Sequence, residues 1–169
     1  MSSLKIRPAT IDDALSIAEI RVGALLTEDE VSGFVVPSDN LYSSADKLRK
    51  VWDRNNRLQD GFEVFVAERN GKEIGFIVLN MGVSDDNIDN VVVAKKEQGK
   101  GIGRALVEYV EELARSRGFS VLKTDTTENA LGIPWKAYGF WKKMGYEDTG
   151  ERIATEYGFK VIPLVKNLK

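Results

Sequence analysis

Between residues 88 and 118 the chain carries an apolar strand, a polar turn and an amphipathic helix. The pattern predicts the strand at residues 88–94 and the helix at residues 101–117, with Gly118 as the helix C-terminal cap. The turn contains three glycines, Gly99, Gly101 and Gly103. Glycines let an anion approach the backbone closely, and the first amides of a helix lack internal partners. The segment therefore predicts a cradle for a phosphate group.

Basic side chains collect around this turn, with Glu97 as their nearest acid: Lys95, Lys96, Lys100 and Arg104. The whole chain has 24 basic and 26 acidic residues, a net charge of −2, so the cluster stands out against a slightly acidic background. A pyrophosphate-bearing ligand would explain it, and a solvated turn is the alternative. The dinucleotide motif G-x-G-x-x-G would need glycine where Arg104 stands, and no Gly-Lys pair is followed by Ser or Thr, so both common nucleotide motifs fail.

Strands and helices alternate around this segment. An Asn-Gly pair at residues 70–71 separates two β-rich runs and predicts a hairpin. A first helix is expected at residues 12–25, capped by Thr10, with one apolar face made of Ile11, Leu15, Ala18 and Val22. Further elements are predicted at residues 4–7 (strand), 44–58 (helix), 121–126 (strand), 135–144 (helix) and 151–164 (two strands). This order predicts an α+β fold, an α/β sandwich whose mixed, mostly antiparallel sheet of about seven strands has helices on both faces.

The amino-acid composition excludes several kinds of catalytic and metal site. A length of 169 residues suits a single domain over residues 1–169. The chain has no histidine and no cysteine, which excludes imidazole bases, thiolate nucleophiles, disulfides and zinc sites built on those residues, so we expect no metal. Balanced charge predicts no nucleic-acid partner. The apolar runs are too short for a membrane span and the first residues do not resemble a signal peptide, so we expect no membrane association and a cytoplasmic location.

Three further stretches accompany the glycine turn in a fixed order: IRPAT-x-x-D at the start, VAERNGKEIGFIVL as the hairpin, and KKMGY before the last strands. The turn itself, residues 98–103, reads QGKGIG and matches the pattern Q/R-x-x-G-x-G/A at each fixed position. Together these motifs resemble the GNAT acetyltransferase superfamily over essentially the whole chain. The resemblance implies acetyl-CoA as cosubstrate.

The resemblance also implies which residues hold the cofactor. Backbone amides of the turn would bind the CoA pyrophosphate: Gln98, Gly99, Lys100, Gly101, Ile102, Gly103 and Arg104. The backbone of Val91, Val92 and Val93 would pair with the pantetheine arm, where the sheet splays between residues 91–94 and 121–126. The amide near Val93 would face the thioester oxygen. Lys143 matches a basic position near the CoA ribose phosphate, with an ordinary surface lysine as the alternative.

Acetyl transfer to an amine requires the neutral amine. With a pKa of about 10.4, deprotonation near pH 7 costs roughly 4.6 kcal/mol, so a carboxylate or water chain is expected close to the acceptor. Asp89 is the candidate base, since strict two-residue alternation puts it on the same face as Val91 and Val93. The alternative is a solubilising residue on an edge strand.

The leaving thiolate needs a proton. Many GNAT members use a tyrosine in Y-x-x-x-G-F/Y, but Trp141 occupies that position here, and an indole can donate a hydrogen bond without delivering a proton. Trp141 would then shape the cofactor tunnel. Tyr138, one helical turn earlier, is the candidate acid, with packing or water as alternatives. Asn129 resembles an asparagine that meets the pantetheine or adenine end, but an insertion at residues 130–133 separates it from the helix by more than is usual.

The predicted function is transfer of acetyl from acetyl-CoA to a primary amine, namely a small amine, a polyamine, or a protein lysine or N-terminus. Attack would be direct, in a ternary complex, because no cysteine is present to carry the acyl group. The alternatives are a CoA-binding module that has lost catalysis and acts as a sensor or interaction domain, and a related transferase for longer acyl groups. Residues 27–41 form either a connecting loop or part of the acceptor pocket, and a homodimer is a further possibility.

Overall fold

The computed structural model of this chain describes residues 3–24, 42, 44–52, 62–81 and 86–169. These residues fall into two compact units. The first unit holds the described residues up to Leu113, and the second runs from Ala114 to Lys169. Within the described parts of the chain, no helix is both long enough and apolar enough to cross a membrane.

The first unit is a four-stranded antiparallel sheet with the strands in chain order. The strands are β1 (Lys5–Pro8), β2 (Phe62–Arg69), β3 (Lys72–Met81) and β4 (Asp86–Val93). The helices are α1 (Ala14–Ala24), α2 (Ala45–Val51) and α3 (Ile102–Ser116), and α3 continues into the second unit. Asn70 and Gly71 both have positive φ, 55° and 72°, which is the conformation that the predicted hairpin turn requires.

Helices cover both faces of this sheet, as predicted. On one face, α1 and α2 pack onto Phe76, Val78 and Val92 in a single hydrophobic cluster. On the other face α3 lies close to the backbone, because a Cβ on Gly75 would stand 3.3 Å from Leu106 and 3.4 Å from Ile102. Glycine at position 75 therefore lets the start of α3 seat against the first half of β3, and this contact positions the glycine turn.

The face predicted for α1 is wrong. Ile11, Leu15 and Val22 are 40%, 52% and 53% exposed. Of the four predicted residues Ala18 alone is buried, beside Ala14 and Ile17. The helix is apolar on most sides, so periodicity alone offers two faces. The structure buries the one with small alanines, which lets the helix approach the sheet closely.

The second unit is also antiparallel. Its strand β8 (Lys160–Asn167) pairs with β5 (Val121–Glu128), with β6 (Glu147–Asp148) and with β7 (Ile153–Ala154). The two-residue β6 brings the number of described strands to eight, where about seven were predicted. Helix α4 (Ala137–Lys143) begins two residues later than expected because the Trp135 amide still bonds to Thr127 of β5, at 2.7 Å. The single domain and the splay between residues 91–94 and 121–126 stay predictions.

A cluster of ion pairs fixes the start of the first unit. The Arg7 guanidinium donates to both oxygens of Asp13, at 2.8 and 2.9 Å, and also pairs with Glu68 and Glu73. Asp13 Oδ2 in turn accepts the Thr10 amide at 2.7 Å, which forms the cap that the sequence predicted at Thr10. Asp13 is only 4% exposed, so this pair joins β1 to α1 from inside the unit.

We expect the substitution Asp13→Asn to lower the free energy of unfolding by about 2 kcal/mol near neutral pH. Burial would raise the pKa of Asp13, but hydrogen bonds from Arg7 and the Thr10 amide outweigh it, so the pKa lies below the usual value. A lowered native pKa stabilises the fold above the unfolded pKa of about 3.9 and loses that effect as pH falls through the native value. Urea unfolding of wild type and Asp13→Asn, near neutral pH and again below the native pKa of Asp13, measures the difference in the free energy of unfolding.

The exposed neighbour Asp12 provides the control, because Asp12→Asn removes the same charge without touching Arg7. Equal losses for both variants, or an Asp13→Asn loss that persists below the native pKa, would contradict this account.

Candidate functional site

The polar turn begins as a continuation of the β3–β4 ladder. The Ala94 amide donates to the Ile74 carbonyl at 2.8 Å, and a single 3-10 turn, Lys95–Glu97, follows at once. The Gln98 side chain then reaches back, donating from Nε2 to the Val93 carbonyl at 3.0 Å. Gln98 therefore ties the turn to the end of β4, which gives a physical reason for glutamine at the first position of the motif.

Two glycines shape the rest of the turn. Gly99 and Gly101 have φ of 77° and 83°, a left-handed conformation that costs other residues roughly 1–2 kcal/mol. The first hydrogen bond of α3 runs from the Ala105 amide to the Gly101 carbonyl, at 3.0 Å. Within the part of the chain that the structure describes, the amides of residues 99–104 have no acceptor. Consecutive free amides at the start of a fifteen-residue helix have the geometry that can accept an anion.

The charges around the turn leave it basic. Glu97, the acid of the turn, pairs with Lys100 at 3.3 Å and with Arg69 of β2 at 3.6 Å. Arg104 pairs with Glu108 one turn along α3, at 2.8 Å, and this contact offsets its poor position at the positive end of the helix. The Lys100 and Arg104 side chains are exposed, so their ion pairs are weak and these two cations can turn to an incoming anion.

The backbone of β4 is oriented for a second ligand contact. The Ala94–Ile74 bond makes Val92 and Phe76 a hydrogen-bonded pair, because such pairs alternate along an antiparallel ladder. Val91 and Val93 consequently direct their N–H and C=O groups away from β3. The Val92 side chain is buried in the α1–α2 core, so this part of β4 is held firmly while the N–H and C=O groups of Val91 and Val93 point away from β3.

Asp89 lies at an irregularity in β4 that the sequence did not reveal. Val78 is opposite Asn90 and Leu79 is opposite Ile88, so Asp89 is the extra residue of a β-bulge. The strict alternation predicted for β4 is therefore wrong: Asp89 does not share the face of Val91 and Val93, and its carboxylate accepts a hydrogen bond from Tyr42 on the α1–α2 side. The carboxylate keeps solvent exposure, while the burial around it raises its pKa and the Tyr42 hydrogen bond lowers it.

Tyr42 is the hydrogen-bond partner of Asp89 that sequence reasoning missed. Its ring is buried in the α1–α2 core and its centroid lies 6.0 Å from that of Phe76. No motif or periodicity marks a single tyrosine ahead of α2, and its role depends on a bulge in a distant strand. Residues 27–41, the candidate pocket segment, lie outside the described residues.

Tyr138 sits in a polar network of the second unit. Its hydroxyl donates to Asp148 Oδ2 at 3.1 Å, and Arg152 binds the same carboxylate through both terminal nitrogens while its Nε contacts Glu128. Desolvation and the contact with Asp148 both raise the pKa of Tyr138. The Arg152 hydrogen bonds lower the pKa of Asp148. The Asp148 carboxylate therefore stays ionised and continues to accept the hydrogen bond from the Tyr138 hydroxyl. This arrangement weakens Tyr138 as a proton donor.

The other predicted residues of the second unit have separate surroundings. Trp141 is buried and packs edge-on against Tyr146, with ring centroids 5.0 Å apart. The Asn129 side-chain oxygen accepts the amides of Leu131 and Ile133, each at 3.0 Å, so it organises the inserted loop. Lys143 is exposed at the end of α4. Nothing in these contacts tests the cofactor roles predicted for the three residues.

Residues 60–148 match a family model described as an acetyltransferase (GNAT) domain. Over 140 residues the chain is 29% identical to an uncharacterized N-acetyltransferase of Methanocaldococcus jannaschii, covering 73% of this chain and 59% of that protein. The chain thus spans about three-fifths of the length of this curated relative.

Solved structures show the same fold. A protein of Desulfovibrio desulfuricans assigned to the GNAT family superposes with a TM-score of 0.73 at 19% identity, covering 99% of this chain and 100% of that one. The PaiA N-acetyltransferase of Thermoplasma acidophilum, solved in complex with coenzyme A, gives 0.67 at 19% identity over 95% and 98% of the two chains. With the family model matching more than half of its length, the chain belongs to the GNAT family of acetyltransferases.

Proposed function

We propose that this protein transfers an acetyl group from acetyl-CoA to a primary amine by direct attack in a ternary complex. The observation that carries the proposal is the run of unpaired amides at residues 99–104, in a chain of the GNAT family. Acetyl-CoA would supply the activated acyl group and retain the sulfur. A C–N bond forms as the C–S bond breaks, so one proton leaves the amine and one joins the thiolate.

The turn fits the pyrophosphate of CoA. A pyrophosphate carries several acceptor oxygens, and the amides of residues 99–104 offer several donors beside a helix N-terminus. Lys95, Lys96 and Lys100 add positive charge. The N–H and C=O groups of Val91 and the N–H of Val93 point away from β3 and suit the amide groups of a pantetheine arm. The Val93 carbonyl already accepts a hydrogen bond from Gln98. The Val93 amide is proposed as the donor to the thioester oxygen.

Asp89 is proposed as the group that takes the proton of the acceptor amine, directly or through water. Its carboxylate is exposed enough to meet a substrate, yet the surrounding protein raises its pKa. A raised carboxylate pKa is closer to the range in which a general base works well. A negative charge here also favours a cationic acceptor, which supports a polyamine, a lysine side chain or a protein N-terminus.

Two donors are open for the thiolate proton, Tyr138 and solvent water. The hydrogen bond from Tyr138 to Asp148 must break before the phenol can serve a thiolate. Arg152 offsets this cost because it holds Asp148 through two nitrogens and leaves that carboxylate satisfied without the phenol.

We expect Gly101→Ala to weaken CoA binding by about tenfold or more, since the left-handed φ of 83° is strained for alanine and its relief turns the neighbouring amides away. Gly118→Ala is the matched control, with a φ of 86° at the far end of α3. It should lose comparable stability and keep CoA affinity. Isothermal titration with CoA and with AMP measures the affinities, and urea unfolding measures the stability of each variant. Equal weakening of CoA binding by the two variants, or equally weak binding of CoA and AMP, would contradict the proposed cradle.

We expect Asp89→Asn to slow thiol release from acetyl-CoA by about 100-fold, the usual size of a lost general base, with CoA affinity unchanged. The assay uses a polyamine, a lysine peptide and a free peptide N-terminus as acceptors, and Asp12→Asn serves as the control. A flat signal across these acceptors with demonstrated CoA binding would favour the non-catalytic module instead. An active Asp89→Asn enzyme would remove Asp89 from the mechanism.

We expect Tyr138→Phe to lower the maximal rate of thiol release if the phenol supplies the proton, and Asp148→Asn to raise it at neutral pH by freeing that phenol. Single-turnover rates with acetyl-CoA separate this step from product release. If both variants keep the wild-type rate, water protonates the thiolate and Tyr138 has a packing role.

A further inference from the structure

The bulge in β4 determines which way Asp89 points. Asn90 pairs with Val78 and Ile88 pairs with Leu79, so the register leaves Asp89 without a cross-strand partner. Val78 belongs to the α1–α2 core, whereas Leu79 shares the face of Gly75, against which α3 packs. The extra residue turns the Asp89 carboxylate toward the α1–α2 side, where Tyr42 meets it.

Tyr42 is well placed to hold a carboxylate. Its ring is 6% exposed and tilts by 39° against Phe76, within a cluster that includes Val78, Val92 and Trp52. A buried tyrosine keeps its ring fixed by packing and uses its hydroxyl for one directed hydrogen bond. The hydroxyl therefore approaches Asp89 from a rigid base, although residue 42 precedes β4 by more than forty positions in the sequence.

We propose that Tyr42 is the positioning residue for Asp89: from the core of the first unit it donates a hydrogen bond that orients the bulge carboxylate and favours its ionised form. The inference rests on the proposed function, in which Asp89 receives the amine proton. Tyr42 itself contacts neither acceptor nor cofactor in this scheme and acts through Asp89.

In the Tyr42–Asp89 pair the phenol is the hydrogen-bond donor and the carboxylate is the acceptor. Burial and the charge of Asp89 both raise the pKa of Tyr42, so the phenol keeps its proton and remains the donor. In return, the hydrogen bond lowers the pKa of Asp89 against the opposing effect of burial. Removal of the hydroxyl should therefore raise the pKa of Asp89 further.

Other charged groups on the elements packed against β4 do not change which member of the Tyr42–Asp89 pair carries the proton. On α1 they are Glu19, which faces solvent, and Arg21, on the side of the buried residues. On β3 they are Lys72 and Glu73, and Glu73 is bound to Arg7 and Ser16 at the hairpin end. Arg21 carries a constant charge over the pH range in which carboxylates titrate. The hydrogen bond to Asp89 comes from Tyr42 and from none of these four groups.

The test is the titration of the Asp89 side-chain carboxyl carbon, followed by NMR in the unliganded full chain. Tyr42→Phe keeps the ring packing and removes the hydroxyl, so we expect the pKa of Asp89 to rise by about one unit. Tyr109→Phe is the matched control, because Tyr109 loses the same hydroxyl on α3, where its ring packs against Phe65. An Asp89 pKa that is the same in wild type and Tyr42→Phe, or that moves equally in both variants, would overturn the proposal.

The pH dependence of kcat/KM for thiol release separates this inference from the proposed function. Tyr42→Phe should move the acidic limb upward by the same amount, with a loss of about tenfold below the limb and recovery above it. In an Asp89→Asn background the same substitution should have no further effect. If Asp89→Asn leaves the limb in place, the base assigned under the proposed function is wrong; if Asp89→Asn removes the limb while Tyr42→Phe leaves it unmoved, only the role of Tyr42 is wrong.

Discussion

Helix α3 begins without a capping side chain, so its first backbone amides need an acceptor. The contacts of the first unit around the start of α3 depend on this requirement. At the start of α3 the chain supplies glycine in left-handed conformations where a capping side chain would ordinarily stand. Gly75 lets the helix seat directly on β3, and Gln98 ties the turn to the end of β4. The amides at the start of α3 thus stay unsatisfied, and the contacts of Gly75 and Gln98 keep them in place. This arrangement is expected where a ligand provides the missing acceptors.

Because the chain has no histidine and no cysteine, the proposed proton transfers depend on carboxylates, phenols or water. Each unit pairs one such phenol with one carboxylate, Tyr42 with Asp89 in the first and Tyr138 with Asp148 in the second. The two pairs differ in their surroundings. Burial raises the pKa of Asp89, whereas Arg152 lowers the pKa of Asp148, so only the first carboxylate is tuned toward the range of a general base.

Local sequence patterns predicted the hairpin, the glycine turn, helix α3 and the cap at Thr10, because each depends on residues close together in the chain. The face of α1 could not be predicted, since its sequence is apolar on most sides and tertiary packing decides between them. The orientation of Asp89 failed for a related reason: a bulge inserts one residue into the two-residue alternation, and only the register with β3 reveals it. Tyr42 was invisible because its partner lies on a distant strand.

The proposed function depends on binding of the CoA pyrophosphate by the amides of residues 99–104. The most direct measurement is a titration of the ¹⁵N-labelled protein with CoA, observed amide by amide. We expect the largest chemical-shift changes at the amides of residues 99–104, and smaller changes at the same amides with inorganic pyrophosphate. CoA binding that shifts other amides and leaves those of residues 99–104 unchanged would contradict the proposed pyrophosphate site.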